Sequence, residues 1–387
     1  MNIQQHLWSE ANGWTPSLPS SQSQTQLVLV FGPSETASDA VRDTAIHDAW
    51  PEAHRVFCSG GGQIGGTIVY DGESVVTAVS FDHASVRAVA RIHGEGEDSA
   101  DVGQRLGREL PAEGLRHVLV FSDGIRVNGS ALVRGLSSAL PPSISVTGGM
   151  AADDDRFAFT PVGLGRNGDG VTAEGNIVAI GLYGETLRIG MGTLGGWDVF
   201  GPHRLITRSE GNVLYELDGE PALGLYKRYL GPFAEELPAS ALMFPLRLSS
   251  GCGAENGDDG VVRTILGMDE EAGSLTFAGD MPEGMYARLM KANIDRIIDG
   301  AMGAAEMAAT GESIGPRLGL LVSCVGRRWL LKQRVEEELE SAQAVLGDNA
   351  TLAGFYSYGE IAPMTPAARC ELHNQTMTIT TIEESAG

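Results

Sequence analysis

Leu27-Val28-Leu29-Val30-Phe31, followed after a helical stretch by Val56-Phe57-Cys58-Ser59-Gly60-Gly61-Gly62-Gln63-Ile64, is the segment from which the fold can be read. The first five residues are an apolar, β-branched run of strand length. Ala37, Val41, Ala45 and Ala49 recur at helical spacing behind Ser34, a residue suited to an N-cap, and Pro51 ends the pattern. The second apolar run stops in a glycine-rich turn. Two further strand-like stretches then flank Asp71-Gly72, a strong hairpin turn. Strand, helix, glycine turn and hairpin form one unit.

The unit recurs twice. Residues 117–121 begin a second copy, whose helix carries Leu132, Leu136 and Leu140 on one face and is stopped by Pro141-Pro142. Its turn is Thr147-Gly148-Gly149-Met150-Ala151, and strands follow at 177–182 and 187–191. Residues 318–322 begin a third, with Leu331, Val335, Leu339, Ala342 and Leu346 along its helix and Gly347 as the C′ residue. Its turn is Gly354-Phe355-Tyr356-Ser357-Tyr358-Gly359-Glu360-Ile361, and strands lie within 369–382. Between the second and third copies the pattern predicts a strand pair around Glu210-Gly211, a helix over 221–230, a hairpin around 270–273 and a long helix over 285–309. The expected fold is α/β of the mixed α+β kind, in two related domains with mixed sheets. The expected divisions are a flexible tail over 1–26 and domains at 27–200 and 201–387.

Composition narrows the function. Fifty acidic residues against 27 basic ones leave a formal charge of −23, and the basic residues are scattered. That argues against a nucleic-acid or anionic-membrane surface. No apolar run reaches the roughly 18 residues of a membrane span. The first 26 residues lack the basic and apolar regions of a secretory signal, so a cytoplasmic protein is expected. Cys58, Cys252, Cys324 and Cys370 form no CxxC pair and read as buried thiols.

Several motif matches fail on context. G-x-G-x-x-G occurs at Gly60/Gly62/Gly65, Gly163/Gly165/Gly168 and Gly190/Gly192/Gly195, but none follows a strand and opens a helix. With 52 glycines such matches arise by chance. Gly311-Glu312-Ser313-Ile314-Gly315 matches G-x-S-x-G, yet lies between a helix and the following strand rather than in a nucleophile elbow. Asp153-Asp154-Asp155 reads as a solvated loop, or as ligands to a hard cation.

Strand ends that meet glycine turns line cleft edges in α/β folds. The candidate ligand contacts are therefore Ser59, Gly61, Gly62, Gly148, Gly149, Cys324, Gly326, Arg327, Tyr358, Gly359 and Glu360. Arg327 can clamp a carboxylate bidentately and Glu360 can receive an ammonium group, which together suit an amino acid. The competing reading makes the glycines tight turns and the two charges partners in the fold. Of eight histidines none has a neighbour at metal spacing; His373, ahead of a terminal strand, is the choice for an axial ligand if haem is bound. A Cys324 nucleophile would need a depressed thiol pKa, and no general base stands beside it in the sequence. A binding protein without catalysis is the leading expectation.

Gly196-Trp197-Asp198-Val199-Phe200-Gly201-Pro202, Ser323-Cys324-Val325-Gly326-Arg327-Arg328, Gly354 to Ile361 and His373-Asn374-Gln375-Thr376 resemble blocks of the FIST C-terminal domain. Cys58-Ser59-Gly60-Gly61 and Gly148-Gly149-Met150-Ala151 stand where the FIST N-terminal domain has its turn blocks. At the first turn Gln63 replaces the family's glutamate. The resemblance implies a sensory module that binds a small ligand, with amino acids as proposed ligands. It also implies a haem b alternative, since some stand-alone bacterial members are haem proteins that sense nitric oxide. Such members act on a separate histidine kinase, which makes that the kind of partner to expect.

Overall fold

A computed structural model describes residues 1–166, 169–251, 260–309, 311, 315–365 and 368–385. Cys252, Gly168 and Glu312 to Ile314, singled out above, lie outside the described residues.

The fold is mixed α/β, and the three sequence units each build the centre of one sheet. Leu27–Gly32 and His54–Ser59 run parallel, joined through helix Ala40–Ala49. Leu115–Ser122 and Ser145–Met150 do the same through helix Gly129–Ala139. Arg317–Cys324 and Ala350–Ser357 do so through helices Val325–Leu331 and Val335–Leu346. In each unit the last long strand returns antiparallel beside the first: Ser74–Ser80, Asn176–Tyr183 and Met377–Glu384.

The strand that follows each glycine turn leaves its own sheet. Gln63–Gly65 of unit one pairs with Ala350–Ser357 of unit three. Val162–Arg166 of unit two pairs with His54–Ser59 of unit one. Gly359–Pro363 of unit three pairs with Ser145–Met150 of unit two. The outer edges are exchanged in the opposite cyclic sense, with Ser85–Ile92 on the sheet of unit two and Leu187–Leu194 on that of unit three. The body therefore has pseudo-threefold symmetry, and a boundary near residue 200 cuts across sheets that share strands.

The remaining edge belongs to the chain start. Residues 1–26 are not a loose tail: Asn2–Ser9 pairs antiparallel along Ser74–Ser80 and completes the third exchange. The segment is polar because only part of it is buried. Gln5 Nε2 donates to Leu352 O at 2.9 Å, and the Met1 ammonium meets Asp82 and, at 3.5 Å, Glu384.

The three sheets share one core. Phe31, Phe121 and Phe355 meet near the axis with ring centroids 5.1–6.0 Å apart. Helices cover the outer faces. Ala40–Ala49 is capped by Asp39, not Ser34, and buries Arg42, Ile46 and Ala49 while Val41 is exposed. The expected stripe was out of phase because Arg42, a charged residue, is the buried one. Its guanidinium lies 4.9 Å over Phe57 and bonds Ser74 and Asp43.

Between units two and three stands an inserted module over 198–291 with its own core, including Leu214, Tyr226, Phe244, Leu275 and Phe277. Its strand pair, helix Ala222–Leu230 and hairpin Ile265–Asp269/Ser274–Phe277 lie where the sequence predicts. The long helix over 285–309 does not form whole. Residues Tyr286–Lys291 are a central strand of the module, and the helix is Ile294–Ala308, capped by Asn293. No helix among the described residues is long and apolar enough to cross a membrane.

Candidate functional site

The glycine turns meet around the pseudo-threefold axis, and their backbone groups bond one another. Gly61 N donates to Tyr356 O at 2.8 Å, Ala152 N to Ser59 O at 3.1 Å and Tyr358 N to Met150 O at 3.2 Å. In each, a residue one or two places past one unit's strand end donates to a carbonyl at or next to the strand end of another. The ring satisfies N–H groups that a buried turn would otherwise leave unpaired.

Most turn residues expected to contact ligand serve this closure. Gly148 and Gly149 are paired on both sides within their sheet. Gly148 has φ +148°, and a Cβ there would lie 1.8 Å from Val120 O, so only glycine lets the neighbouring strand approach. A Cβ on Gly61 would lie 2.7 Å from Val325, and Gly62 is covered by the Arg328 guanidinium. Ser59 is buried and its Oγ has no partner among the described residues.

Arg327 is not a free clamp. It is fully buried, and Nε and Nη2 reach Glu338 Oε2 at 3.1 and 2.8 Å. Nη2 also donates to Ile297 O at 2.7 Å and Nη1 to Gly195 O at 2.5 Å. Glu338 Oε1 accepts from Ser323 at 3.0 Å and Tyr356 at 2.8 Å. The pair ties helices Ile294–Ala308 and Val335–Leu346 to the third strand end. A guanidinium with its donors committed in this way has no bidentate edge for a ligand carboxylate.

Glu360, fully buried, accepts from Ser357 Oγ at 2.6 Å, Thr376 Oγ1 at 2.9 Å and Thr376 N at 3.2 Å. Burial pushes its carboxyl up to about 8, against the opposing pull of those donors and of the Arg327 charge. His373 is also buried, its Nε2 2.8 Å from Ala362 O, and burial lowers its imidazole to about 4.

The open space lies where the third unit faces the inserted module. A cleft of about 760 Å³ runs between them. From the body it is lined by residues 124–129, Met150, Asp155, Phe157, Cys324, Val325, Gly326, Trp329, Ser357, Tyr358 and Leu372. The module contributes Asn212, Leu242, residues 264–267 and 277–279. Of the predicted contacts, Cys324, Gly326 and Tyr358 line it. Gly359 and Glu360 stand behind it, and Ser59, Gly61, Gly62, Gly148, Gly149 and Arg327 do not line it.

Aromatic rings build one wall. Phe157 stacks on Tyr358 with centroids 4.5 Å apart and planes 7° apart, and meets Trp329 edge-on at 6.5 Å. Asp153 fixes this wall: it accepts from Ala158 N at 2.9 Å, Phe159 N at 2.8 Å and the Tyr358 hydroxyl at 2.5 Å. Trp329 Nε1 donates to Asp154 at 2.8 Å. The acidic run therefore organises a loop, and no group of three metal-ligating side chains occurs among the described residues. Cys324 sits at the start of its helix, yet burial first, and then the Glu360 charge, push its thiol up, so it is held as thiol rather than thiolate.

The sequence did not point to Phe157, Trp329 or the module's wall. Trp329 carried a usable signal, since it follows Val325 by one helical turn and shares its face. The module's residues carried none, because their facing depends on how the insertion docks. Docking bonds include Arg263 Nη1 to Leu372 O at 2.8 Å and Asn128 Nδ2 to Asp280 at 3.1 Å. A second cleft of about 890 Å³ on this junction is lined by opposite charges, including Arg134, Arg263, Asp280 and Glu371. No histidine lines either cleft, so neither offers a haem an axial imidazole, and His373 does not fit that part.

Comparison with known proteins covers nearly the whole chain. The FIST N domain matches residues 26–220 and the FIST C domain residues 222–363. The uncharacterized protein MJ1623 of Methanocaldococcus jannaschii is 26% identical over 246 residues, which are 56% of this chain and 45% of that protein. The match thus spans less than half of that relative's length. The crystal structure of a cyanuric acid hydrolase from A. caulinodans aligns over 99% of both chains at 9% identity with a TM-score of 0.36, a level that supports no inference.

Proposed function

The chain belongs to the FIST family, and we propose that it senses a small molecule bound in the cleft between its threefold body and the inserted module. FIST domains are associated with sensory signal transduction and small-ligand binding. The observation that carries the proposal is the lining of the cleft. Two of the C-terminal blocks, around Cys324 to Gly326 and Ser357 to Tyr358, converge on a largely apolar space closed on the far side by a separately cored module. Such a space with a few polar groups is the usual form of a small-molecule site.

In this reading the chain has no catalysis of its own. A ligand touching both walls favours the arrangement in which they are close, and a separate cytoplasmic signalling protein, such as a histidine kinase, reads the change. An amino acid, the ligand that the resemblance implies, would need a carboxylate partner other than Arg327.

The test is a thermal-shift screen of a metabolite panel against the native chain and Leu266→Arg. Leu266 lines the cleft and is half exposed, so a charge there obstructs the space without burying itself. A ligand at 100 times its Kd adds about 2.7 kcal/mol of stability. Compounds that raise the Tm of the native chain but not of Leu266→Arg support the cleft. Compounds that stabilise both equally place the site elsewhere.

A further inference from the structure

We infer that the cleft selects an uncharged, predominantly apolar ring compound and turns away charged molecules, free amino acids included. This rests on the cleft being the ligand site. The wall is Phe157, Trp329 and Tyr358 on one side, with Ile265 and Phe277 from the module. The charged residues of the lining are Arg126 and Asp155, both exposed, and Arg126 is paired with Glu174 at 2.8 Å.

The polar groups farther in are neutral. Thr264 lines the cleft, is buried, and its Oγ1 has no partner among the described residues. The Ser357 hydroxyl donates its hydrogen bond to Glu360, and Cys324 stays a thiol. The buried cation nearest in sequence, Arg327, is spent on Glu338 and two carbonyls. A carboxylate entering this space loses its water and finds Arg126 already paired and Arg327 committed, and an ammonium loses its water with only the exposed Asp155 to offer charge, so neither ion recovers its hydration among the buried lining residues. A flat apolar ring loses little water and gains the aromatic wall.

One ring in four charge states tests this. Indole, tryptamine, indole-3-acetate and tryptophan are titrated calorimetrically into the full chain and into Trp329→Ala, with Tm recorded for both proteins. The expected result is that indole binds, that the three charged relatives bind about tenfold more weakly or worse, and that Trp329→Ala weakens indole while the protein stays folded. A charged relative that binds as tightly as indole and is weakened by Trp329→Ala overturns the charge selection but leaves the cleft as the site. Absence of binding by all four, or binding that ignores Trp329→Ala, overturns both.

Discussion

The first and third units end their parallel strands in the same way and use those ends differently. Both contribute to the ring of backbone hydrogen bonds around the axis, Gly61 to Tyr356 and Tyr358 to Met150. Around the first turn the space is filled by Val325, Phe355 and Arg328. Around the third, Cys324, Ser357 and Tyr358 border an open cleft, because the module over 198–291 stands off from them there. Repetition makes a closed frame, and an insertion that breaks the repetition leaves the open cleft. Residues that look alike along the chain therefore close the frame in one copy and border open space in another.

This difference predicts two classes of substitution. Arg327→Ala should have the largest effect, because it strands the buried Glu338 carboxylate. Loss of about 3–5 kcal/mol is expected in urea unfolding. Gly148→Ala should follow, at about 1–3 kcal/mol, since the added methyl pushes against the Val120 carbonyl. Trp329→Ala belongs to the other class. It should cost much less stability than either, because the side chain is only partly buried beside open space, while reducing ligand binding. A Trp329→Ala protein as unstable as Arg327→Ala would mean that cleft and frame are one structural unit, and the contrast would fail. Cys324 sharpens it further. Although it opens on the cleft, its raised thiol pKa predicts alkylation by iodoacetamide near pH 7 that is slower than that of free cysteine.

Much of the frame was legible because it rests on local pattern. Leu132, Leu136 and Leu140, or Leu339, Ala342 and Leu346, point to covering helices that do form. The exchange of strands was not legible, since Gln63–Gly65 carries no mark of the partner it will find 290 residues away. Asn2–Ser9 was lost for a related reason: an edge strand half open to water has the polarity of a tail. Within the site, Cys324, Gly326 and Tyr358 were recognisable from their motif blocks, whereas Arg327 in the same block turned inward. Spacing cannot tell a guanidinium that faces a cleft from one that faces a glutamate eleven residues on, unless the intervening helix turn is known.

The last comparison sets two units against each other at one position. Gln63 lies two residues after Gly61, and Glu360 lies two after Tyr358; both are buried, and each begins or enters the exchanged strand. Chemically they differ, yet the Glu360 carboxyl, with its pKa near 8, is largely protonated at neutral pH and resembles the Gln63 amide in charge. The ordinary value in the unfolded chain is 4.5. Between about pH 4.5 and about 8 the unfolded chain releases this proton and the folded chain keeps it, so the folded state binds more protons and stability falls as pH rises, by at most about 1.4 kcal/mol per unit. Glu360→Gln should fold and should remove that fall, measured as the pH dependence of urea midpoints. Gln63→Glu should add a fall of the same sign in unit one, where the amide donates to Gly60 O at 3.0 Å and its Oε1 has no partner among the described residues. If Glu360→Gln leaves the slope unchanged, the carboxyl is already ionised in the folded protein. The two units would then differ in charge as well as in what surrounds them.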